Sequence, residues 1–219
     1  MRKAMLAGAL AAVTSLAAPA GAEPADIDAI LAKMSVEEKI GQLNQIAGGR
    51  SKNLNSRIDD AELERVRKGL AGSYLHVAGA EFLGDVQRVA VEESPHGVPL
   101  LFAMDVVHGY RTIFPVPIAM ASTWDPSAAE EMARVSAVEA SAAGLHWTFA
   151  PMIDIARDPR WGRIVEGAGA DPYLGSVMAV AQVRGYQGAD LAQNDTILAT
   201  AKHLGAYGAA EGGRDYDSG

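Results

Sequence analysis

Apolar positions along the chain follow two alternating patterns. Leu100-Leu101-Phe102-Ala103-Met104 is a continuous apolar run behind Pro99, closed by Asp105. A run of this kind predicts a strand covered on both faces. After Trp124-Asp125-Pro126, the residues Ala128, Met132, Val135 and Val138 recur every three or four positions until Gly144. That is the period of an amphipathic helix, with Asp125 placed to cap it and Pro126 suited to its first turn. Asp171-Pro172 repeats the device before a helix expected to run to about Gln187.

The same reading extends along the chain. Residues 26–47 are predicted helical, with Ser35 and Glu38 forming a capping box in which each satisfies the other's orphan donor. A loop is expected over 48–57, and a polar helix from Asp59 to Lys68, stopped by Gly69. Strands are expected at Gly72–Val77, His146–Ala150 and Ile197–Ala201, and a further helix over about 80–93. Strands alternating with helices define a parallel α/β sheet. A closed (β/α)₈ barrel typically takes about 250 residues. Residues 23–219, with about four strands, are therefore expected to form only part of one. A doubly wound sheet is the other solution the alternation allows.

Composition narrows the class. Of 219 residues, 49% are apolar and 21% charged, a globular balance. Cysteine is absent, which excludes disulfides, thiolate metal sites and cysteine nucleophiles. Lys and Arg total 19 against 27 Asp and Glu, a net charge of −8. Nucleic-acid binding needs a basic face, so no nucleic-acid partner is expected.

Residues 1–22 read as a secretory signal. Arg2-Lys3 is a basic start, Ala4–Ala18 carries no charge, and Ala20-Gly21-Ala22 supplies the small residues of a cleavage site. The stretch is Ala-rich and ends at Pro19, which suits a removable signal better than a stable membrane anchor. A periplasmic or secreted protein is the expected outcome.

Charged side chains gather where strands end. Asp105 follows one strand. Asp154, Arg157, Asp158, Arg160 and Arg163 follow another, and Lys202 and His203 a third. In parallel α/β folds, ligands bind at the carboxyl ends of strands. Each residue also has a plainer reading: Asp105 as a turn former, the Arg-Asp-Pro-Arg run as an ion-paired loop clamp, His203 as a core histidine. No nucleophile elbow, phosphate loop or His-Glu-x-x-His motif is present, and the five histidines show no ligand spacing. Neither a metal nor another cofactor is expected.

Three blocks carry a resemblance. They are Met104-Asp105-Val106-Val107-His108-Gly109-Tyr110-Arg111-Thr112-Ile113-Phe114-Pro115, the run from Ala150 through Arg157-Asp158-Pro159-Arg160-Trp161-Gly162-Arg163, and Ala201-Lys202-His203-Leu204-Gly205-Ala206-Tyr207-Gly208 continuing to Gly213. In this order they resemble glycoside hydrolase family 3, and most of all its bacterial periplasmic β-glucosidases. The resemblance implies a retaining β-glucosidase whose first domain is a (β/α)₈ TIM-barrel-like fold, with this chain as that domain's N-terminal portion. It also implies that Asp105, Arg163, Lys202 and His203 hold the hydroxyls of the terminal sugar of a β-glucoside or oligosaccharide.

The family's nucleophilic aspartate and its acid/base glutamate belong to blocks expected downstream of Gly219, so no catalytic carboxylate is assigned within these 219 residues. Three positions depart from the pattern: Ala170 where Glu is usual, Leu204 where an aromatic follows Lys-His, and Ile164-Val165. A β-xylosidase differs by one hydroxymethyl contact and stays open. A β-N-acetylhexosaminidase is disfavoured, because its Phe-Pro-Gly-His-Gly loop is replaced by Leu204-Gly205-Ala206-Tyr207-Gly208. A secreted sugar-binding protein without catalysis is the alternative from another class.

Overall fold

The structure is a computed structural model that describes residues 26–48 and 58–215. The signal at 1–22, nearly all of the loop at 48–57, and the last four positions through Gly219 lie outside the described residues. The chain divides into two units, residues 1–33 and 34–219. In the first, α1 (Ile27–Lys33) begins where Asp26 accepts a hydrogen bond from the Ala29 N–H.

The second unit opens with α2 (Val36–Gln42), so the single helix expected over 26–47 is broken. The break is at Ser35, whose extended backbone caps α2 through a complete capping box with Glu38. The expected helix also hid a strand, β1 (Gln45–Ala47), which pairs with β2 (Ser73–Leu75). Tertiary pairing overrides local preference here, because a three-residue strand carries too little pattern to announce itself. Gly72 admits the approach: a Cβ on it would stand 1.9 Å from the Gln42 carbonyl oxygen.

β3 (Leu101–Met104) and β4 (Trp147–Thr148) complete a four-stranded parallel sheet in the order β1-β2-β3-β4. Between them run α3 (Asp60–Arg67), α4 (Ala80–Arg88, continued as a π-turn over Val89–Glu93), α5 (Pro117–Ala121) and α6 (Pro126–Ala142). α7 (Pro172–Gln187) follows. Strand order that never reverses is the winding of a barrel rather than of a doubly wound sheet. Among the described residues the barrel is not closed.

Residues 197–201 continue the winding without a regular ladder. In place of the expected strand there are isolated parallel bridges, Trp147 to Leu198 and, just past the segment, Met152 to Lys202. The helix α5 was not expected; it starts at Pro117, whose fixed φ suits a first turn.

Phe102 and Ala103 are buried as the apolar run predicted, but Leu101 stays 40% exposed, so the covering of β3 is incomplete. The core gathers Tyr74, Phe102, Leu83, Met132 and Tyr186, and the Tyr186 hydroxyl is satisfied by donating to the Val106 carbonyl at 2.7 Å. Asp125 and Asp171 cap α6 and α7 as expected, each accepting from two backbone N–H groups of the first turn. α6 and α7 pack against each other, and both bury small residues, Ala129, Ala133 and Ala137 on one and Ala181 and Gly185 on the other. A Cβ on Gly185 would meet the Glu130 carbonyl oxygen at 2.2 Å and Ala133 Cβ at 2.6 Å. Gly185→Ala is expected to force the helices apart at a cost of about 1–3 kcal/mol. Urea unfolding of the variant should show a lower midpoint; an unchanged midpoint would mean the helices do not cross this closely.

Candidate functional site

Sequential parallel pairing brings the ends of successive strands together. Leu75 faces Ala103, and Met104 faces Thr148. The residues that follow, His76 after β2 and Asp105 after β3, therefore leave the sheet at the same end. His76 takes a left-handed backbone (φ 62°) and its N–H still donates to the Ala103 carbonyl. The loop after Asp105 is tied down: the Val106 N–H donates to Thr148 Oγ1 at 3.0 Å. Glu139 of α6 accepts from the Arg111 and Thr112 N–H groups, both at 2.8 Å, and from the Thr112 hydroxyl at 2.6 Å.

At that end Lys202 Nζ donates to Asp105 Oδ1 at 2.9 Å, across 97 positions of sequence. The other carboxylate oxygen of Asp105 lies 3.2 Å from His76 Nε2. Partial burial raises the Asp105 pKa, but the hydrogen bonds and charges of Lys202 and His76 outweigh it and hold the carboxyl below its usual range. Asp105 is thus a charged acceptor with both oxygens engaged, not a simple turn former. The Lys202 side chain is only 14% exposed, and Asp105 supplies the partner that a nearly buried ammonium requires.

His203 is held separately. Its Nδ1 lies 2.7 Å from Asp154 Oδ2, and its backbone N–H donates to the same oxygen at 3.2 Å. Asp154 is buried, with its side chain 3% exposed. A carboxylate against Nδ1 places the proton there and fixes the tautomer, leaving Nε2 as the second functional atom. The Lys202–His203 peptide is cis.

Arg163 lies in the 3₁₀ turn Gly162–Glu166 and is chelated by Glu166, with Nη2 donating to Oε1 at 2.8 Å. Arg163 pulls the Glu166 carboxyl below its usual range; Lys202 adds to the shift, and the charge of Asp105 opposes it. These fields tie the Arg163–Glu166 pair to the Asp105–Lys202 pair. Arg163 Nη1 also donates to the Tyr207 hydroxyl at 3.4 Å, and its guanidinium carbon stands 5.3 Å from the centre of the Tyr207 ring.

All four sequence-predicted residues therefore converge. Asp105 meets Lys202 directly, His203 follows Lys202 in the chain, and Arg163 approaches His203 through Tyr207. No nucleophile or acid/base carboxylate is expected within these residues, and none is assigned. Glu166, His76 and Tyr207 join the four with no role assigned to them in the sequence pattern, and Asp154, noted at a strand end, had none either. Asp154 holds a histidine of the site. The loop-clamp reading does hold for Arg160, which chelates Asp158 through Nε at 2.9 Å and Nη2 at 2.6 Å. Leu204, standing where an aromatic is usual, is fully exposed. Among the described residues no three His, Asp or Glu side chains gather as a metal site would need.

Parallel strands wound in sequence order, with polar side chains collected at their carboxyl ends, define a barrel-type α/β protein. The chain belongs to glycosyl hydrolase family 3: residues 35–218 match that family's N terminal domain. It is 40% identical over 197 residues to a periplasmic beta-glucosidase of Salmonella typhimurium, covering 90% of this chain and 25% of that one. A putative beta-xylosidase of Formosa agariphila is 33% identical over 206 residues, covering 87% and 27%. A mutant beta-glucosidase from Listeria innocua, crystallised in complex with laminaribiose, superposes with a TM-score of 0.76 at 36% identity, covering 88% and 28%. The chain thus spans about a quarter of the length of these relatives. Among the described residues no helix is long and apolar enough to cross a membrane.

The Arg160 side chain and N–H hold the Asp158 carboxyl at a pKa of about 2. A folded pKa below the unfolded one contributes stability that is present above about pH 4 and lost as pH falls toward 2. Melting temperature should therefore fall between pH 4 and pH 2, and fall less in Asp158→Asn. Identical pH profiles for the two proteins would remove Asp158 from the acid sensitivity.

Proposed function

We propose that residues 23–219 form the N-terminal part of the barrel domain of an exported retaining β-glucosidase, and that Asp105, Arg163, Lys202 and His203 bind its terminal glucosyl unit. The observation that carries this reading is the Asp105–Lys202 pair at 2.9 Å beside the His203–Asp154 pair, all at one end of the sheet. A sugar hydroxyl both donates and accepts. Asp105 is an acceptor, Lys202 and Arg163 are donors, and His203 Nε2 completes the set. Bonds of this charge-assisted kind are shorter and stronger than neutral ones. Those that tighten as the ring flattens toward an oxocarbenium ion lower the barrier, whereas those equal in both states only bind. Retention requires two further carboxylates about 5–5.5 Å apart. In this reading they come from parts of the protein downstream of Gly219. The periplasmic relative supports an extracytoplasmic site of action, with residues 1–22 acting as the export signal.

The similarity to a putative beta-xylosidase keeps a second substrate in view, since xylosides and glucosides present the same ring hydroxyls. An aryl β-glucoside and an aryl β-xyloside given to the intact protein separate the two. The glucoside is expected to have the higher kcat/KM, with retention at the anomeric carbon by proton NMR. Residues 23–219 alone should cleave neither.

In the intact protein, Lys202→Ala removes charge-assisted bonds worth about 1.5–3 kcal/mol each. kcat/KM should fall roughly tenfold to a hundredfold, since 1.4 kcal/mol is about tenfold. The melting temperature should change little if the lysine serves binding, because the Asp105 carboxylate left behind is 41% exposed and keeps His76 at 3.2 Å. Unaltered kcat/KM in the variant would take Lys202 out of the site.

A further inference from the structure

Tyr207 occupies a junction that the assignment of sugar-binding residues leaves unexplained. It begins the 3₁₀ turn Tyr207–Ala209, which Ala206 enters with a left-handed backbone (φ 58°). The turn is pressed on the segment after Asp154. The Arg157 N–H donates to the Gly208 carbonyl at 3.0 Å, and a Cβ on Gly208 would stand 2.3 Å from the Ile155 carbonyl oxygen. The backbone under the Tyr207 ring is therefore fixed.

The ring meets two of the proposed sugar ligands at once. It stands edge-on to the His203 ring at 4.7 Å and 83°, and Arg163 lies 5.3 Å from its centre. Trp161, 1% exposed, holds it from another side, edge-on at 5.3 Å. The hydroxyl accepts from Arg163 Nη1 at 3.4 Å and donates to Asp215 Oδ2 at 2.9 Å. The second oxygen of Asp215 accepts from Trp161 Nε1 at 2.8 Å. Asp215 thus locks the tyrosine and the tryptophan together through one carboxylate.

Glu166 holds Arg163 from within its own turn, and Asp154 holds His203 from below. Each carboxylate thus serves its own partner. Tyr207 contacts both the Arg163 guanidinium and the His203 ring.

We infer that Tyr207 is a positioning residue that sets Arg163 and His203 in register for the sugar, and that Asp215 acts through it. The inference rests on the proposed glucosidase function. Its consequences follow from what each substitution removes. Tyr207→Phe keeps the ring contacts and deletes the hydroxyl bonds to Arg163 and Asp215. Tyr207→Leu deletes both kinds of contact. Asp215→Asn keeps the size of the side chain and weakens its hold on the hydroxyl.

The test is steady-state kinetics of the intact protein on an aryl β-glucoside at a temperature where every variant is folded, checked by circular dichroism. Tyr207→Phe should lower kcat/KM about fivefold, the effect of one modest hydrogen bond. Tyr207→Leu should lower it about a hundredfold, as expected when binding groups are misplaced by about 1 Å, with the loss mainly in kcat. Because Asp215 acts through the hydroxyl, Asp215→Asn should add less to Tyr207→Phe than it costs alone. A residue that only supports the fold would lower the melting temperature and leave kcat of the folded fraction unchanged, and that outcome overturns the inference. So does full additivity of the two substitutions. Should Tyr207→Leu fail to fold, Tyr207→Phe and the double-variant cycle decide alone. An active wild type with unaffected variants defeats the positioning role only; a wild type inactive on every β-glycoside defeats the glucosidase reading and this inference with it.

Discussion

Parallel register is the constraint on which the rest depends. Each strand here is two to four residues long, too short to hold a sheet by its own pairing. The helices between the strands supply the apolar cover, and in exchange the backbone ladder decides where every loop begins. Leu75 opposite Ala103, and Met104 opposite Thr148, bring the next residues of each strand out at one level. Residues as distant as Asp105 and Lys202 then meet without any local sequence signal linking them. The electrostatics follow. A nearly buried ammonium needs a carboxylate, and the strand geometry delivers one.

What could be read from the sequence was whatever has a local signature. Asp125-Pro126 and Asp171-Pro172 announced α6 and α7, because a cap and a fixed φ act within one turn. The apolar run before Asp105 announced β3. β1 did not show, since three residues between a capped helix and a loop carry no period of their own. The segment at 197–201 was legible as extended, but not as a chain making isolated bridges in place of a ladder. For the site, the resemblance supplied the groups expected to meet a sugar and none of the groups that hold them. Asp154, Glu166 and Tyr207 act on neighbours that the fold brings close. Only Glu166 had a local clue, its three-residue spacing from Arg163 in a turn.

The supporting groups share a design. Each of the proposed donors is already matched: Lys202 with Asp105, Arg163 with Glu166, His203 with Asp154. Pre-pairing limits the freedom of long side chains before any ligand arrives, so less ordering remains to be done when one binds. It also explains why the exposed Asp105 and the buried Asp154 play different parts. The first remains open to solvent on one side; the second is enclosed and serves its histidine.

Those matched pairs have a further consequence for how the site meets its surroundings. Four carboxylates, Asp105, Asp154, Glu166 and Asp215, stand among two permanent cations, Lys202 and Arg163, and two imidazoles, His76 and His203, so the strand ends carry no excess of positive charge, in keeping with the acidic balance of the whole chain. Salt in the medium screens net fields over about 8–10 Å, yet it hardly weakens short contacts between fixed dipoles and an uncharged visitor. Encounter with the neutral sugar proposed as ligand would therefore be governed by shape and hydrogen-bond fit rather than by long-range attraction, and affinity built this way is insensitive to the ionic strength of whatever environment the protein works in.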